Sequence, residues 1–215
     1  MSQRLKAETA VEERTRLARD LHDAVSQTLF SASLMADVLP RVWEKNKEEG
    51  LKKLEEVRQL TRGALAEMRT LLFELRPAAL ADAELSDLLH QLAESVMGRA
   101  LLPVTLEIEG TCKIPADIKV ALYRIAQESL NNIVKHSGAS RVQVTLHCQP
   151  QEVVLHIIDN GQGFDISKVA SGSFGLGNMH ERASQVGAAL KIESKLNEGT
   201  EITVNWHNNA EEVAK

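Results

Sequence analysis

The chain has 215 residues, 43% of them hydrophobic and 26% charged, with 25 Lys and Arg against 30 Asp and Glu for a net charge of −5. That is room for one large domain or two small ones, and the acidic balance, with no Lys/Arg-rich run, argues against a general nucleic-acid binder. The longest apolar runs, such as VVLHII, fall far short of the roughly 18 residues a membrane span needs, and MSQRLKAETAVEERTR has no signal-peptide core, so the chain as given is expected to be cytosolic.

Residues from about 4 to 76 carry almost no strand signal; apolar residues return every three or four positions among Leu, Ala, Glu, Arg and Lys. A long helical hairpin is predicted. Leu17, Leu21, Ala24, Thr28, Ala32, Met35 and Leu39 trace one stripe, and Leu51, Leu54, Val57, Leu60, Leu65, Met68, Leu72 and Leu75 another. Two helices cannot bury stripes this long between them, so a homodimeric four-helix bundle is expected. The turn should fall near Asn46 to Gly50, and Pro40 should kink the first helix.

Within that first helix, RLARDLHDAVSQTLF (16–30) stacks His22 over Ser26 and Asp23 over Gln27, because residues four apart share a column. A nucleophile therefore stands beside a candidate base, although a lone helical histidine is more often simply solvated or packed.

Arg76-Pro77 ends the second helix, and the Ala-rich stretch after it reads as a linker. The expected domains are 1–77 and 82–207, with 208–215 a disordered tail. In the second domain the pattern predicts a helix over about 84–101, a strand in PVTLEIEG, and a helix opened by Pro115 and running to about 137. A hairpin of strands at about 140–148 and 152–159 follows, then a glycine-rich loop from Gly161 to Gly177, a helix to about Val186, and strands at 189–194 and 200–206. Helices on one face of a mixed sheet make this an α/β sandwich. Cys112 and Cys148 lack metal-motif spacing and disulfide-scaffold density, so both are read as reduced thiols with no zinc or redox role.

Three clusters in this half carry chemistry. On the long helix Glu128, Asn131, Asn132 and Lys135 fall at i, i+3, i+4 and i+7; a Glu and an Asn one turn apart can hold magnesium against phosphate oxygens, yet the same stripe suits an ordinary solvated face. The apolar strand VVLHIID ends in Asp159, followed by NGQGF, which fits either a hairpin turn or a buried carboxylate awaiting an adenine amino group. Gly175-Leu176-Gly177 leads into a helix whose first amides can receive phosphate oxygens.

Taken together, ESLNN (128–132), DNGQGF (159–164), FGLGNMHER (174–182) and EGT (198–200) resemble the N, G1, G2 and terminal boxes of the GHKL-type ATPase fold of gyrases, some chaperones and histidine kinases. ERTRLARDLHDAVSQ resembles the phosphoacceptor region of sensor histidine kinases that partner NarL/LuxR-type response regulators. The resemblance runs from about residue 10 to 206, with the boxes in the family's order.

It implies a dimerisation and phosphoacceptor hairpin followed by a GHKL-type ATP-binding domain, with ATP and Mg2+ as cofactors. His22 would be the phosphorylated nucleophile. Asp23 would orient it and take its proton, and Asp23 with Gln27 would form a phosphatase motif. Asn132 matches the magnesium-binding Asn and Glu128 the acid that positions phosphate and water; Asn131 and Lys135 are weaker phosphate candidates. Asp159 matches the adenine-selecting carboxylate, Gly161 and Gly163 its supporting turn, Thr200 the residue assisting at adenine, and Gly175, Leu176 and Gly177 the lid. His136, His147, His156 and His180 are read as structural or exposed. Ser173 stands where many relatives have His, and His180 where Arg is frequent. The implied partners are a second copy and a NarL/LuxR-type response regulator, with no nucleic acid. The two domains fill these 215 residues, so either a sensor or membrane tether would belong to a longer parent protein, or the chain is a soluble kinase regulated by a partner. The competing readings are a dimeric nucleotide-binding scaffold working mainly as phosphatase or docking module, and a chaperone-like or anti-sigma-type ATPase.

Overall fold

The computed structural model describes residues 25–208 apart from Gln27, Arg76, Cys112 and 167–173. His22, Asp23 and Gln27 lie outside the described residues, as do Ser173 and the tail from 209.

A helix over 28–45 (α1) continues through Pro40, and Asn46 interrupts it at the position expected for the turn. Asn46 Oδ1 accepts hydrogen bonds from the backbone N–H groups of Glu48 (3.0 Å) and Glu49 (3.3 Å), capping the free amides at the start of α2, Lys47–Leu75. Gly50 is buried against the Trp43 ring, which closes the hairpin. Thr28 and Ala32 on α1 and Leu60, Ala64 and Ala66 on α2 are buried, whereas Leu51, Leu54, Leu65 and Met68 of the expected second stripe stay exposed.

The segment after Pro77 differs from the linker expected. Pro77–Asp82 is a short helix (α3), and its Leu80 is fully buried in the sheet domain's core. Leucine here is worth about 1.5–3 kcal/mol of burial, more than an Ala-rich tether could lose without consequence. Lys119, itself buried, donates from Nζ to the Ala81 carbonyl at 3.0 Å and ties α3 down.

Helix α4, Leu85–Ala100, ends at Leu101 in the left-handed region (φ 50°) and packs along α2. The two helices touch at Gly63 and Gly98, where a Cβ on either residue would land on the backbone of the other. Strand β1 is Val104–Gly110, α5 Ala116–Asn132, β2 Val142–Gln149, β3 Glu152–Asp159, α6 Phe174–Gln185, β4 Ala189–Lys195 and β5 Gly199–His207. The five strands form one sheet in the order β1-β2-β3-β5-β4; β1 and β2 are parallel and every other pair antiparallel. Leu88, Leu89, Leu122, Ile125, Leu155, Ile157, Met179 and Val204 knit α4, α5, α6 and the sheet's inner face into one core. This is the predicted helical region followed by a helix-covered mixed sheet. After β5, the Asn208 N–H still pairs with the Gln151 carbonyl (2.8 Å).

The reading of both cysteines as reduced thiols is corrected for Cys148, which is buried and disulfide-bonded. Spacing along the chain gave no hint, because parallel pairing sets Gly110 of β1 opposite Cys148, and Cys112, the other cysteine, comes two positions after Gly110 in sequence. Among the described residues no helix is long and apolar enough to cross a membrane, and no cluster of three His, Cys, Asp or Glu is arranged to hold a metal ion.

Candidate nucleotide-binding site

The sheet's register builds the floor of a cavity of about 390 Å³ between α5, the end of β3, the start of β5 and the first turn of α6, within the usual range for small-molecule sites. Asp159, the last residue of β3, sits opposite Thr200 of β5 and is only 3% exposed. Burial pushes its carboxyl above the usual carboxylate range, and hydrogen bonds from Gly161 N–H and from Thr200 pull the other way. The Gly161 bond measures 2.7 Å. A carboxylate held in a cavity against the cost of desolvation is fitted to an incoming donor such as an exocyclic amine.

Along α5, Glu128 and Asn132 line the cavity one helical turn apart, with Asn132 Nδ2 3.3 Å from Glu128 Oε1. The approach opposite them is close: a Cβ on Gly175, in the first turn of α6, would displace the Glu128 carboxylate, with the Asn132 amide 3.5 Å away. Gly175 and Leu176 therefore bring the α6 N-terminus against the Glu128–Asn132 pair. The glycine pattern predicts a loop that reaches Gly177 before the helix; α6 already begins at Phe174, so Gly175 to Gly177 form its first turn. The donor set suits magnesium, which keeps several waters and takes one or two protein oxygens together with phosphate oxygens.

Of the remaining expected residues, Gly163 and Thr200 line the cavity, Gly161 supports Asp159 from behind, and Gly177 faces open space. Two expected phosphate contacts are not brought in. Asn131 instead accepts a hydrogen bond from Arg99 of α4 (3.0 Å), and Lys135 is exposed outside the lining. Asn131 lies within regular α5, on the side that Arg99 reaches; the i+7 count that grouped Lys135 with Glu128 presumes an unbroken α-helix, and α5 does not continue as one. It finishes in a single π turn, Ile133–Ser137, closed by Gly138 at φ 60°.

His136, set aside from sequence, comes four residues after Asn132 and eight after Glu128; it continues their face and lines the cavity together with Ser137. The turn's carbonyls are gripped by the loop after β3: Gln162 donates its side-chain amide to the His136 carbonyl (2.6 Å) and its N–H to the Ser137 carbonyl (2.8 Å). Asn160 reinforces the joint, its Oδ1 accepting from Ser140 and Arg141 N–H at 3.0 Å each. A glutamine inside the glycine motif was the one sequence signal for this joint. His147 and His156 stand on the outer face of the sheet, paired with Glu109 and Glu201, and His180 hydrogen-bonds the Leu176 carbonyl within α6.

Comparison with known proteins agrees with this geometry. Residues 13–80 match a family described as histidine kinase, and residues 117–210 one described as histidine kinase-, DNA gyrase B-, and HSP90-like ATPase. The chain is 37% identical over 200 residues to the sensor histidine kinase LiaS of Bacillus subtilis, covering 93% of this chain and 55% of LiaS. It is 38% identical over 202 residues to the sensor protein VraS of Staphylococcus epidermidis, covering 94% and 57%. It thus spans a little over half the length of the curated relatives it matches. Among solved structures, Acinetobacter baumannii histidine kinase AdeS superposes with TM-score 0.50 at 15% identity over 70% of this chain and 84% of that one. The Erythrobacter litoralis EL346 blue-light activated histidine kinase gives 0.50 at 14% identity over 92% and 61%. At these identities the structures speak for the fold alone.

Proposed function

The chain belongs to the histidine kinase family, and on that premise we propose that it is a kinase core that uses Mg-ATP to phosphorylate His22 and passes the phosphoryl group to an aspartate of a NarL/LuxR-type response regulator. The observation that carries the reading is one cavity holding a buried carboxylate, Asp159, at one end and the Glu128–Asn132 pair beneath a helix N-terminus at the other. Those are the two ends an adenine nucleotide needs.

Asp159 would accept from the adenine amino group, with Thr200 beside it and Gly161 keeping the carboxylate in place. Glu128 and Asn132 would hold magnesium, which when bound neutralises charge on the phosphate oxygens. The α6 amides from Gly175 onward would receive a phosphate oxygen. At His22 an imidazole nitrogen would form a bond to the γ-phosphorus as the bond to the bridging oxygen breaks and ADP departs; Asp23 would take the imidazole proton. Asp23 and Gln27 would also serve the reverse logic, the amide positioning water against the regulator's phospho-aspartate.

We assign residues 1–77 to dimerisation and phosphoacceptance and 82–207 to nucleotide binding, with two copies completing a four-helix bundle. The exposed stripe Phe30, Leu34 and Val38 on α1, together with Leu51, Leu54, Leu65 and Met68 on α2, supports that assembly. We place this core in the cytoplasm.

Incubation with Mg-ATP labelled in the γ-phosphate tests the proposal. Wild type is expected to acquire acid-labile, alkali-stable label, and His22→Gln none. Nucleotide binding without label in the wild type would move the reading to a scaffold that acts mainly as phosphatase or docking module.

A further inference from the structure

Behind the adenine end of the cavity stands a residue with no role so far. Ser194 of β4 lies opposite Thr200 of β5 in the sheet register and is partly buried. Its hydroxyl oxygen accepts the Phe164 N–H at 2.9 Å, lies 3.0 Å from the Gly199 carbonyl, and lies 3.0 Å from Thr200 Oγ1. One side chain therefore joins the exit of the loop that follows Asp159, the turn before β5, and the hydroxyl beside the base.

Proton counting gives the arrangement a direction. Each hydroxyl has one proton to donate. The Thr200 hydroxyl also bonds the Asp159 carboxylate, which can only accept while charged, so that proton is committed to Asp159. Thr200 Oγ1 is then an acceptor toward Ser194, whose own proton is shared between it and the Gly199 carbonyl. The chain runs Ser194 to Thr200 to Asp159, and Phe164 N–H anchors its start.

We propose that Ser194 is a positioning residue for nucleobase recognition, fixing the Thr200 hydroxyl so that the Asp159 carboxylate meets the 6-amino group of a purine in one orientation. Ser194 does not line the cavity and acts only through Thr200 and the Phe164 backbone. The inference rests on the nucleotide reading above and extends it to the selection of the base.

The test uses the full chain and titrates ATP against the triphosphate of purine riboside, which lacks the 6-amino group. Ser194→Ala is expected to weaken ATP about three- to tenfold, the worth of one hydrogen bond, and the 6-unsubstituted analogue less than about twofold. Ser194→Thr, which keeps the hydroxyl, should restore the preference. Added to Thr200→Val, Ser194→Ala should cost little more, because the two share one chain of bonds. Equal losses for both nucleotides would reduce Ser194 to a strand-bridging role and overturn the proposal, as would wild-type ATP affinity in Ser194→Ala. If the alanine variant loses its cooperative melt, Ser194→Cys, which keeps the shape with a weaker donor, must show the same ordering. A wild-type chain that binds neither nucleotide would remove the nucleotide reading itself.

Discussion

In the helical hairpin Leu29, Phe30, Leu34, Val38, Leu51, Leu54, Leu65 and Met68 are 45 to 66% exposed, whereas in the sheet domain Tyr123, Leu122, Ile125, Leu155 and Ile157 are at most 1% exposed. The sheet domain closes its own core, and among the described residues the cavity lining comes from that domain alone. The hairpin is one half of a packing problem. It follows that the ATP-binding half should tolerate loss of the partner, while the phosphoacceptor half should not. Chemistry that needs both halves then becomes a question of assembly as much as of residues.

The strongest way to break that contrast is Leu34→Glu combined with Val38→Glu, two positions on one face of α1. Four carboxylates buried in the paired bundle should raise the dimer dissociation constant more than about a thousandfold, leaving nucleotide affinity unchanged. Sedimentation and nucleotide titration on the same sample check both parts; a variant that stays dimeric would show that this stripe is not the interface.

Asp159→Asn sharpens the contrast from the other side. Losing a charge-assisted acceptor should weaken ATP about ten- to a hundredfold, with the dimer intact. Its effect on stability has the opposite sign. Because burial raises the carboxyl above its unfolded value, the native chain holds a proton that the unfolded chain has released, and stability falls as pH rises from the unfolded value through the folded one. A neutral amide at this position would carry no such penalty, so the nucleotide-free variant should melt no lower than wild type at pH 7, and the gap should close as pH drops below the ordinary carboxylate range. Thermal melts at several pH values read this directly.

The smallest effect is expected at Asn131. With its side chain turned to Arg99, Asn131→Ala should change Mg-ATP affinity less than about twofold and cost about 0.5–1.5 kcal/mol of stability. An Asn132→Ala control is expected to lose binding. A large affinity loss at Asn131 would restore it to the phosphate contacts.

Periodicity and turn chemistry made the element order legible, because the hairpin's 3.6-residue repeat and the strands' alternation are both enforced by burial within single elements. The placement of Asp159 beside Thr200 was readable only through the family resemblance, since it depends on pairing β3 with β5, strands with a helix and another strand between them. Three features escaped for related reasons. Leu80 looked like linker because nothing local shows that α3 docks on a distant core. The bonded state of Cys148 depends on β1 lying parallel to β2. Asn131 and His136 exchanged places because nothing local shows that Arg99 of α4 reaches Asn131 or that the end of α5 borders the cavity, and no residue in IVKHS announces the π turn that ends it.

That π turn has a consequence beyond the side chains it carries. Because the cavity wall is aligned by how many residues lie between Asn132 and Gly138, this part of the pocket is encoded in chain length. The exposed Lys135 side chain can be exchanged while the carbonyls held by Gln162 keep their positions. Removing a single residue there would rotate the helix end out of phase even where the side chain lost is the exposed Lys135, so insertions and deletions are changes this edge of the site cannot absorb.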